Sequence, residues 1–180
     1  MPEQLYRETF RAFDGKTVEQ KLQEIADREE IRELVARYAH GIARQAQVAD
    51  LFTADGIFIQ KLPGQVADRQ QGLDALRLLF DKITSAAGLL PMIHNHVVEI
   101  DGNDARGLCS VEVRMTVGGK SMIASGYYED EYRRVAGRWR FAKRDATILH
   151  LCTLQEGWAE QTRPILDQPL PPEDGGRASA

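Results

Sequence analysis

Apolar positions in the first third of the chain recur every three or four residues, the spacing of one face of an amphipathic helix. They are Leu22, Ile25, Ile31, Leu34, Val35, Tyr38 and Ile42. Thr17 is followed three positions later by Gln20, a capping-box pattern that marks a helix start. The pattern predicts a long helix from Thr17 that presents Tyr38 on its apolar side.

A mixed stretch follows this helix. Val48, Leu51 and Phe52 suit a short turn, and Ile57–Gln60 has the β-branched and aromatic content of a strand, which the 62–64 segment ends. A further helix is predicted from about Gly72 to Ser85. Its apolar face carries Leu76, Leu79, Phe80 and Ile83.

The second half of the chain changes to an extended pattern. Four strands are predicted, at Met92–Ile100, Gly107–Val117, Ser121–Arg134 and Arg138–Leu151. The turns between them are short and rich in Gly, Asn and Asp, which is typical of antiparallel neighbours. Helices followed by a run of hairpins predict an α+β domain, with the helices on one face of a curved sheet.

Composition narrows the possible partners. The 180 residues suit one domain, and 23 Lys+Arg against 27 Asp+Glu give a net charge of −4. This balance argues against nucleic-acid and membrane binding, which need a basic face, and favours a small uncharged ligand. Cys109 and Cys152 form no disulfide framework, and we find neither a secretory signal nor an apolar run that could span a bilayer. The expected compartment is the cytoplasm.

The chain divides into three segments. Residues 1–16 are mixed and expected to be peripheral, and residues 17–155 form the domain. Residues 156–180 form a tail rich in proline and glycine from Pro164 onwards, without apolar periodicity, which we expect to be mobile or to lie over a partner.

Several motifs together resemble a SnoaL-like domain of the nuclear transport factor 2-like superfamily, whose members include scytalone dehydratase, bile-acid dehydratase and ketosteroid isomerase. The motifs are Arg37-Tyr-Ala-His40, Leu51-Phe-Thr-Ala-Asp55, Gly72-Leu-Asp-Ala-Leu76, Asn95-His-Val-Val-Glu-Ile-Asp-Gly102, Gly126-Tyr-Tyr-Glu-Asp-Glu131 and Gly137-Arg-Trp-Arg-Phe141. The resemblance covers about residues 20–155. It implies a cystatin-like fold, in which a cone-shaped, mostly antiparallel sheet wraps around the long N-terminal helix and encloses a ligand cavity.

The resemblance transfers only one catalytic residue. Tyr38 matches the tyrosine with which the dehydratases polarise a substrate oxygen. The other dehydratase positions fall on Ala43, Pro91, Val113 and Ile148, where the relatives have an aspartate, a histidine, a second acid and an arginine. The aspartates of the isomerase would fall near Gln60 and Tyr128, so neither known activity is transferred whole.

The strongest chemical cluster in the sequence itself is His94-Asn95-His96. Imidazole takes or releases a proton near pH 7, and alternation along a strand puts both rings on one face. A bulge near Pro91 would turn His94 towards the cavity as a base. The alternative is that one or both histidines are interfacial or hydrogen-bonded core residues. No carboxylate or cysteine recurs at a ligand spacing, so we predict no metal site.

Tyr128, Asp130 and Tyr132 alternate along one strand and are predicted to face inward. Asp130 in an apolar cavity could serve as a proton donor or could orient a histidine. The alternative is an ion pair between Asp130 and Arg140 or another strand arginine. The cations of this region are expected on a solvated outer face, and they are Arg133, Arg134, Arg138, Arg140, Lys143 and Arg144.

Two hypotheses about function follow. The first is a lyase or isomerase without a cofactor that acts on a small hydrophobic oxygenated molecule such as a steroid, polyketide or aromatic intermediate. His94 would abstract a proton, Tyr38 would stabilise the oxyanion and Asp130 would tune or orient the base. Substrate would contact His96 and an apolar wall of Phe58, Phe80, Met92, Met122 and Tyr128. The second hypothesis is a non-catalytic ligand-binding or assembly domain with the same pocket. Either form is expected to self-associate, as a homodimer or else a trimer.

Overall fold

The computed structural model describes residues 13–86 and 88–158. Helix α1 spans Val18–Ala43 and begins as the sequence predicts. The backbone N–H of Gln20 donates to Thr17 Oγ1 at 3.3 Å, and Gln20 Oε1 accepts from the backbone N–H of Thr17 at 2.9 Å. This reciprocal pair satisfies two amide donors that the first turn of a helix would otherwise leave free.

The predicted apolar stripe of α1 is wrong in its first two turns. Leu22 and Ile25 are 62% and 50% exposed, whereas Glu24, Asp27 and Arg28 are buried. The charged side chains are paired: Arg28 Nε donates to Glu24 Oε1 at 2.7 Å and Arg28 Nη1 donates to the Val98 carbonyl at 2.5 Å. Charged side chains can be buried when they are paired, so the first two turns of α1 also have an inward face, which is formed by these polar residues. From Ile31 onward the stripe is apolar as predicted.

The other elements follow the predicted order. They are a short 3₁₀ helix at Ala49–Leu51, β1 at Phe52–Lys61, β2 at Asp68–Gln71, α2 at Leu73–Ala86, β3 at Leu90–Asp101, β4 at Asp104–Val117, β5 at Lys120–Val135 and β6 at Arg138–Thr153. Strand β2 was not predicted, since its sequence of Asp, Arg, Gln and Gln has no apolar alternation. It forms because it lies beside β1.

The six strands form one curved mixed sheet in the order β2-β1-β6-β5-β4-β3. Every neighbouring pair is antiparallel except β1 and β6, which are parallel. The sheet carries α1 and α2 against it, which confirms the predicted α+β class. Within the described residues, neither α-helix has the unbroken apolar length that a bilayer crossing requires.

The core lies between α1, α2 and the inner face of the sheet, and it is rich in aromatic rings. The Phe52 and Phe141 ring centroids are 5.1 Å apart, and Phe80 lies 5.6 Å from Phe52 and 5.5 Å from Phe58. Tyr38 of α1 inserts edge-on among these rings. Offset and edge-to-face pairs of this kind contribute to stability beyond the area they bury.

Strand β3 contains the bulge that positions the two histidines. The prediction of a bulge near Pro91 is wrong: the register is regular there, and it shifts between His94 and Val97. Two residues of β3, Asn95 and His96, lie where β4 contributes one, and Asn95 adopts a φ of 54°. An inserted residue inverts the inward–outward alternation, so His94 and His96 do not share a face.

The predicted terminal segments are residues 1–16 and 156–180, and of these residues 1–12 and 159–180 lie outside the described residues. The six strands and two α-helices given above all lie within the described residues.

Candidate functional site

A cavity of about 250 Å³ lies between α1, α2 and the inner face of the sheet. Tyr38, Phe58 and Tyr128 line it, as the sequence predicts for a pocket. The rest of its wall in the described part of the chain is Ile42, Gln60, Leu62, Ile83, Leu89, Pro91, Val113, Met115, Ala124, Ala146, Ile148 and Leu151. None of these lining side chains carries a charge, so the cavity suits a neutral ligand.

Three of the four dehydratase positions identified by resemblance open onto this cavity. Pro91 and Val113 face each other across the β3–β4 ladder, and Ile148 lies on β6. Ala43, the fourth position, is half-buried at the end of α1 and is not among the lining residues. The cavity therefore occupies the expected place, with apolar groups at the positions where the resemblance to the dehydratases implies a base, an acid and a cation.

The other predicted wall residues lie elsewhere. Phe80 is fully buried beneath the cavity, where its ring lies 5.9 Å from the Tyr38 ring. Met92 pairs with Glu112, one position beyond Pro91, so alternation turns it away from the cavity. Met122 is opposite Met115, but Met115 is the residue of this pair that lines the cavity.

Tyr38 and Tyr128 supply the hydroxyl groups of the cavity. Their rings are edge-on to each other, with centroids 6.3 Å apart, and both side chains are buried. Burial raises the pKa of Tyr38 to about 12, although the Arg144 cation partly offsets the effect. Burial also raises the pKa of Tyr128 well above its usual value. Both phenols are therefore protonated at neutral pH and can donate hydrogen bonds to a ligand oxygen.

Asp130 is paired with Arg144, the residue directly opposite it across the β5–β6 ladder. Arg144 Nε donates to Asp130 Oδ1 at 2.8 Å, and Arg144 Nη2 donates to Oδ2 at 2.7 Å. The predicted inward direction of Tyr128, Asp130 and Tyr132 is confirmed, since all three are buried. The alternative prediction, an ion pair between Asp130 and a strand arginine, is confirmed, and the arginine is Arg144.

Arg144 corrects the prediction of a solvated outer face. Its side chain is 0% exposed, and Asp130 holds its pKa above the usual arginine value although burial acts in the opposite direction. The alternation of side chains along β6 indicates the inward direction of Arg144. Arg144 is spaced by two from Ala146 and by four from Ile148, and both of these are apolar. The neighbouring run of surface arginines conceals this signal.

Tyr132 and His96 extend the pair towards β3. Tyr132 Oη donates to Asp130 Oδ2 at 2.8 Å, and His96 Nε2 lies 3.1 Å from the same hydroxyl. Since the one phenolic hydrogen is directed to Asp130, His96 Nε2 must be the protonated nitrogen, and Nδ1 is buried without a partner among the described residues. Burial lowers the pKa of His96 to about 4, so the ring is neutral at pH 7.

The structure does not bring His94 to Tyr38. His94 is exposed, on the outward side of the bulge, and is not among the cavity-lining residues. His96 is the imidazole that turns inward, and it contacts Tyr132 rather than the cavity. Of the three predicted catalytic residues, Tyr38 alone lines the cavity, while Asp130 lies behind it.

Gly107 makes room for the contact between His96 and Tyr132. A Cβ at this position would lie 2.8 Å from Tyr132 Cε2 and 2.9 Å from His96 Nε2, closer than real Cβ contacts. Gly107 also faces Asp130 across the β4–β5 ladder. The absence of a side chain here allows three strands to contribute to one buried polar cluster.

Within the described residues, no group of three or more His, Cys, Asp or Glu side chains is arranged to hold a metal ion. Cys109 and Cys152 are both free and buried, and burial raises the pKa of Cys109 to about 12. A thiol of this kind is unreactive at neutral pH.

Comparison with known proteins places this geometry in a family. The chain is similar in structure to the Rv3472 protein of Mycobacterium tuberculosis, of unknown function, with 28% identity over 77% of this chain and 76% of that one and a TM-score of 0.60. It is also similar to a hexachlorocyclohexane dehydrochlorinase (18% identity, 74% of this chain and 93% of that one, TM-score 0.66).

A third similar structure is a nuclear transport factor 2-like protein with a cystatin-like fold from Novosphingobium aromaticivorans, with 23% identity over 75% of this chain and 92% of that one and a TM-score of 0.58. No curated protein matches the sequence. The model of the SnoaL-like domain family matches residues 23–145, which include most of α1, most of the cavity-lining residues and the Asp130–Arg144 pair. The chain therefore belongs to the SnoaL-like domain family and has the nuclear transport factor 2-like fold.

Proposed function

We propose that this protein binds a small, neutral, hydrophobic molecule that carries a hydrogen-bond-accepting oxygen. The observation that carries the proposal is an uncharged cavity whose hydroxyl groups come from two protonated phenols, Tyr38 and Tyr128. An apolar wall provides affinity through burial, and a few polar groups fix the orientation of the ligand.

The volume of the cavity limits the ligand. Engineered cavities of about 150 Å³ hold benzene, and pockets for drug-sized molecules begin at about 300 Å³. A cavity of about 250 Å³ therefore suits one aromatic ring with a short substituent, or two small fused rings, better than a four-ring steroid. An aromatic or small polyketide-like ketone meets both the size and the polarity of the site.

Binding of three probes of similar shape tests this proposal. We expect acetophenone and toluene to raise the melting temperature of the protein and benzoate not to, because the described cavity wall holds no cation to compensate a buried carboxylate. Calorimetry then gives the dissociation constants. Equal binding of benzoate, or no binding of either neutral compound, contradicts the proposal.

Variants at the two phenols identify the binding mode. Tyr38→Phe and Tyr128→Phe are each expected to weaken acetophenone binding by about tenfold and to leave toluene binding nearly unchanged, since only the ketone accepts a hydrogen bond. Tyr127→Phe is the matched control, because Tyr127 lies next to Tyr128 but is not among the cavity-lining residues. Equal effects of all three substitutions on acetophenone would show that the phenols do not orient the ligand.

A second candidate function is a cofactor-independent lyase or isomerase acting on a substrate of the same class. The observation that favours it is again the pair of phenols, since a preorganised donor at a developing oxyanion is worth about 100-fold or more in rate. No carboxylate or imidazole lines the cavity within the described residues, so a proton-abstraction step there requires an acceptor from solvent. His94, which is exposed, has no part in it.

Proton exchange distinguishes the enzyme from the binder. Acetophenone and related small ketones are incubated in deuterated buffer with the protein, and loss of the α-proton NMR signal is followed. An enzyme exchanges these protons faster than buffer does, and Tyr38→Phe reduces the rate by about 100-fold. If the ketone binds but its protons exchange only at the buffer rate, the enzyme function is excluded and ligand binding is the function that stands.

A further inference from the structure

Arg144 lies directly behind the two phenols of the cavity. Its guanidinium carbon is 4.3 Å from the centroid of the Tyr38 ring, 4.2 Å from that of Tyr128 and 4.2 Å from that of Phe141. Asp130 holds the guanidinium by two hydrogen bonds through Nε and Nη2. The cation is thus enclosed by one carboxylate and three aromatic rings, two of which line the cavity.

The ion pair has a direction. In both phenols the Arg144 charge lowers the pKa by more than the Asp130 charge raises it, although burial outweighs both. The cation therefore acts on the phenols more strongly than its counterion does. The pair behaves as a dipole with its positive end towards Tyr38 and Tyr128.

Asp130 is the negative end of this dipole, and the side chains of Tyr132 and His96 hold it in place. Tyr132 donates to Asp130, His96 contacts Tyr132, and Gly107 leaves the space for both rings. These hydrogen-bonded side chains do not conduct a proton to the cavity, because the guanidinium of Arg144 does not give up its proton in a protein. Its effect on the cavity is electrostatic.

Arg144 has one donor atom, Nη1, from which Asp130 accepts no hydrogen bond. Its Nη1 atom is buried and makes no hydrogen bond of normal geometry within the described residues, although hydrogen bonding by the Arg144 side chain contributes to lowering the pKa of Tyr38. A fully buried N–H without a partner is uncommon and costly, so it requires a reason. A guanidinium whose carbon lies 4.3 Å and 4.2 Å from the centroids of the two phenol rings increases the positive potential at that end of the cavity.

We propose that Asp130 and Arg144 form a positioning pair that makes the phenol end of the cavity selective for a neutral ligand whose oxygen carries partial negative charge, such as a strongly polarised carbonyl. The proposal rests on the proposed function of the cavity and adds a specificity determinant to it. Neither residue touches the ligand; the pair acts through Tyr38 and Tyr128. Among neutral ligands of one shape, affinity should follow the basicity of the oxygen.

The test uses acetophenones with different para substituents, which change carbonyl basicity at nearly constant shape. For the wild-type protein we expect the logarithm of affinity to rise with basicity. The variant Asp130→Asn with Arg144→Gln removes both charges but keeps amides that can hydrogen-bond to each other and to Tyr132. In this variant we expect the slope to fall by at least half and toluene affinity to stay within twofold of wild type.

Three outcomes overturn the proposal. An unchanged slope in the double variant shows that the pair does not polarise the ligand. Loss of toluene binding in the folded variant shows that the pair only holds the cavity in shape. Failure of the wild-type protein to bind toluene and every ketone removes the proposed function, and this inference with it.

A measurement on the wild-type protein keeps the proposal testable if the double variant does not fold. The carbonyl stretch of bound, isotope-labelled acetophenone is recorded by infrared difference spectroscopy. A field directed from Arg144 through the phenols moves this band below its position in water. A band at or above the water position overturns the proposal.

Discussion

Asp130 and Arg144 face each other across the β5–β6 ladder and form a two-point ion pair in which neither side chain is exposed to solvent. Breaking a buried pair by removing one partner leaves the other charge without compensation. We therefore expect Asp130→Asn or Arg144→Gln alone to lower the free energy of unfolding by about 3–5 kcal/mol.

The double variant should lose less stability than the sum of the two single variants, because it leaves no unpaired charge. Urea denaturation of all four proteins gives the coupling free energy directly. Additive losses would show that the two charges do not stabilise each other in the folded protein.

Sequence reasoning located the cavity better than it located the chemistry. Helical periodicity placed Tyr38 inward, and strand alternation placed Tyr128 and Asp130 on the inner face. These predictions depend on local period alone. Arg144 follows the same alternation, but its charge suggested a surface position, and a single sequence does not show which arginine finds a buried carboxylate.

The two histidines show a different limit. Alternation assigned His94 and His96 to one face, which is true only for a regular strand. One inserted residue in β3 exposes His94 and turns His96 to Tyr132. A bulge is selected by pairing with the neighbouring strand, and its position is not written in the local sequence of β3.

Gly107→Ala should disturb the cluster behind the cavity. The added Cβ would overlap Tyr132 and His96, so we expect a loss of about 1–3 kcal/mol in unfolding free energy. Gly88→Ala is the control, because a Cβ at Gly88 would meet nothing within 4 Å. If chemical denaturation shows equal effects for the two variants, the close approach at Gly107 is not a constraint.

Stability should fall in acid through His96. The unfolded imidazole has a pKa of about 6.5 and the folded one of about 4, so between these values the unfolded chain binds more protons. The contribution is fully present above pH 6.5, is lost as the pH falls towards 4, and amounts to about 3 kcal/mol at most. The charged groups that act on the ring are Asp130, Arg144 and Arg32.

Melting temperatures measured from pH 7 to pH 4 check this assignment. His96→Gln should reduce the acid loss relative to wild type, because the amide can still donate to Tyr132 and does not titrate. His94→Gln, at an exposed position of the same strand, should retain the wild-type loss. An acid loss that is the same in His96→Gln and in wild type excludes His96 as its source.

The two halves of α1 should respond differently to truncation. Ile31 is fully buried and Ile25 is 50% exposed, although both belong to the stripe that periodicity predicts. Ile31→Ala removes buried methyl groups and leaves a cavity, with an expected loss of about 2–5 kcal/mol. Ile25→Ala changes an exposed site and should stay within about 0.5 kcal/mol. Urea midpoints at constant m-value give both numbers. A loss above about 2 kcal/mol for Ile25→Ala would mean that a surface covers this face of α1 in solution, because only a contact removes those methyl groups from water.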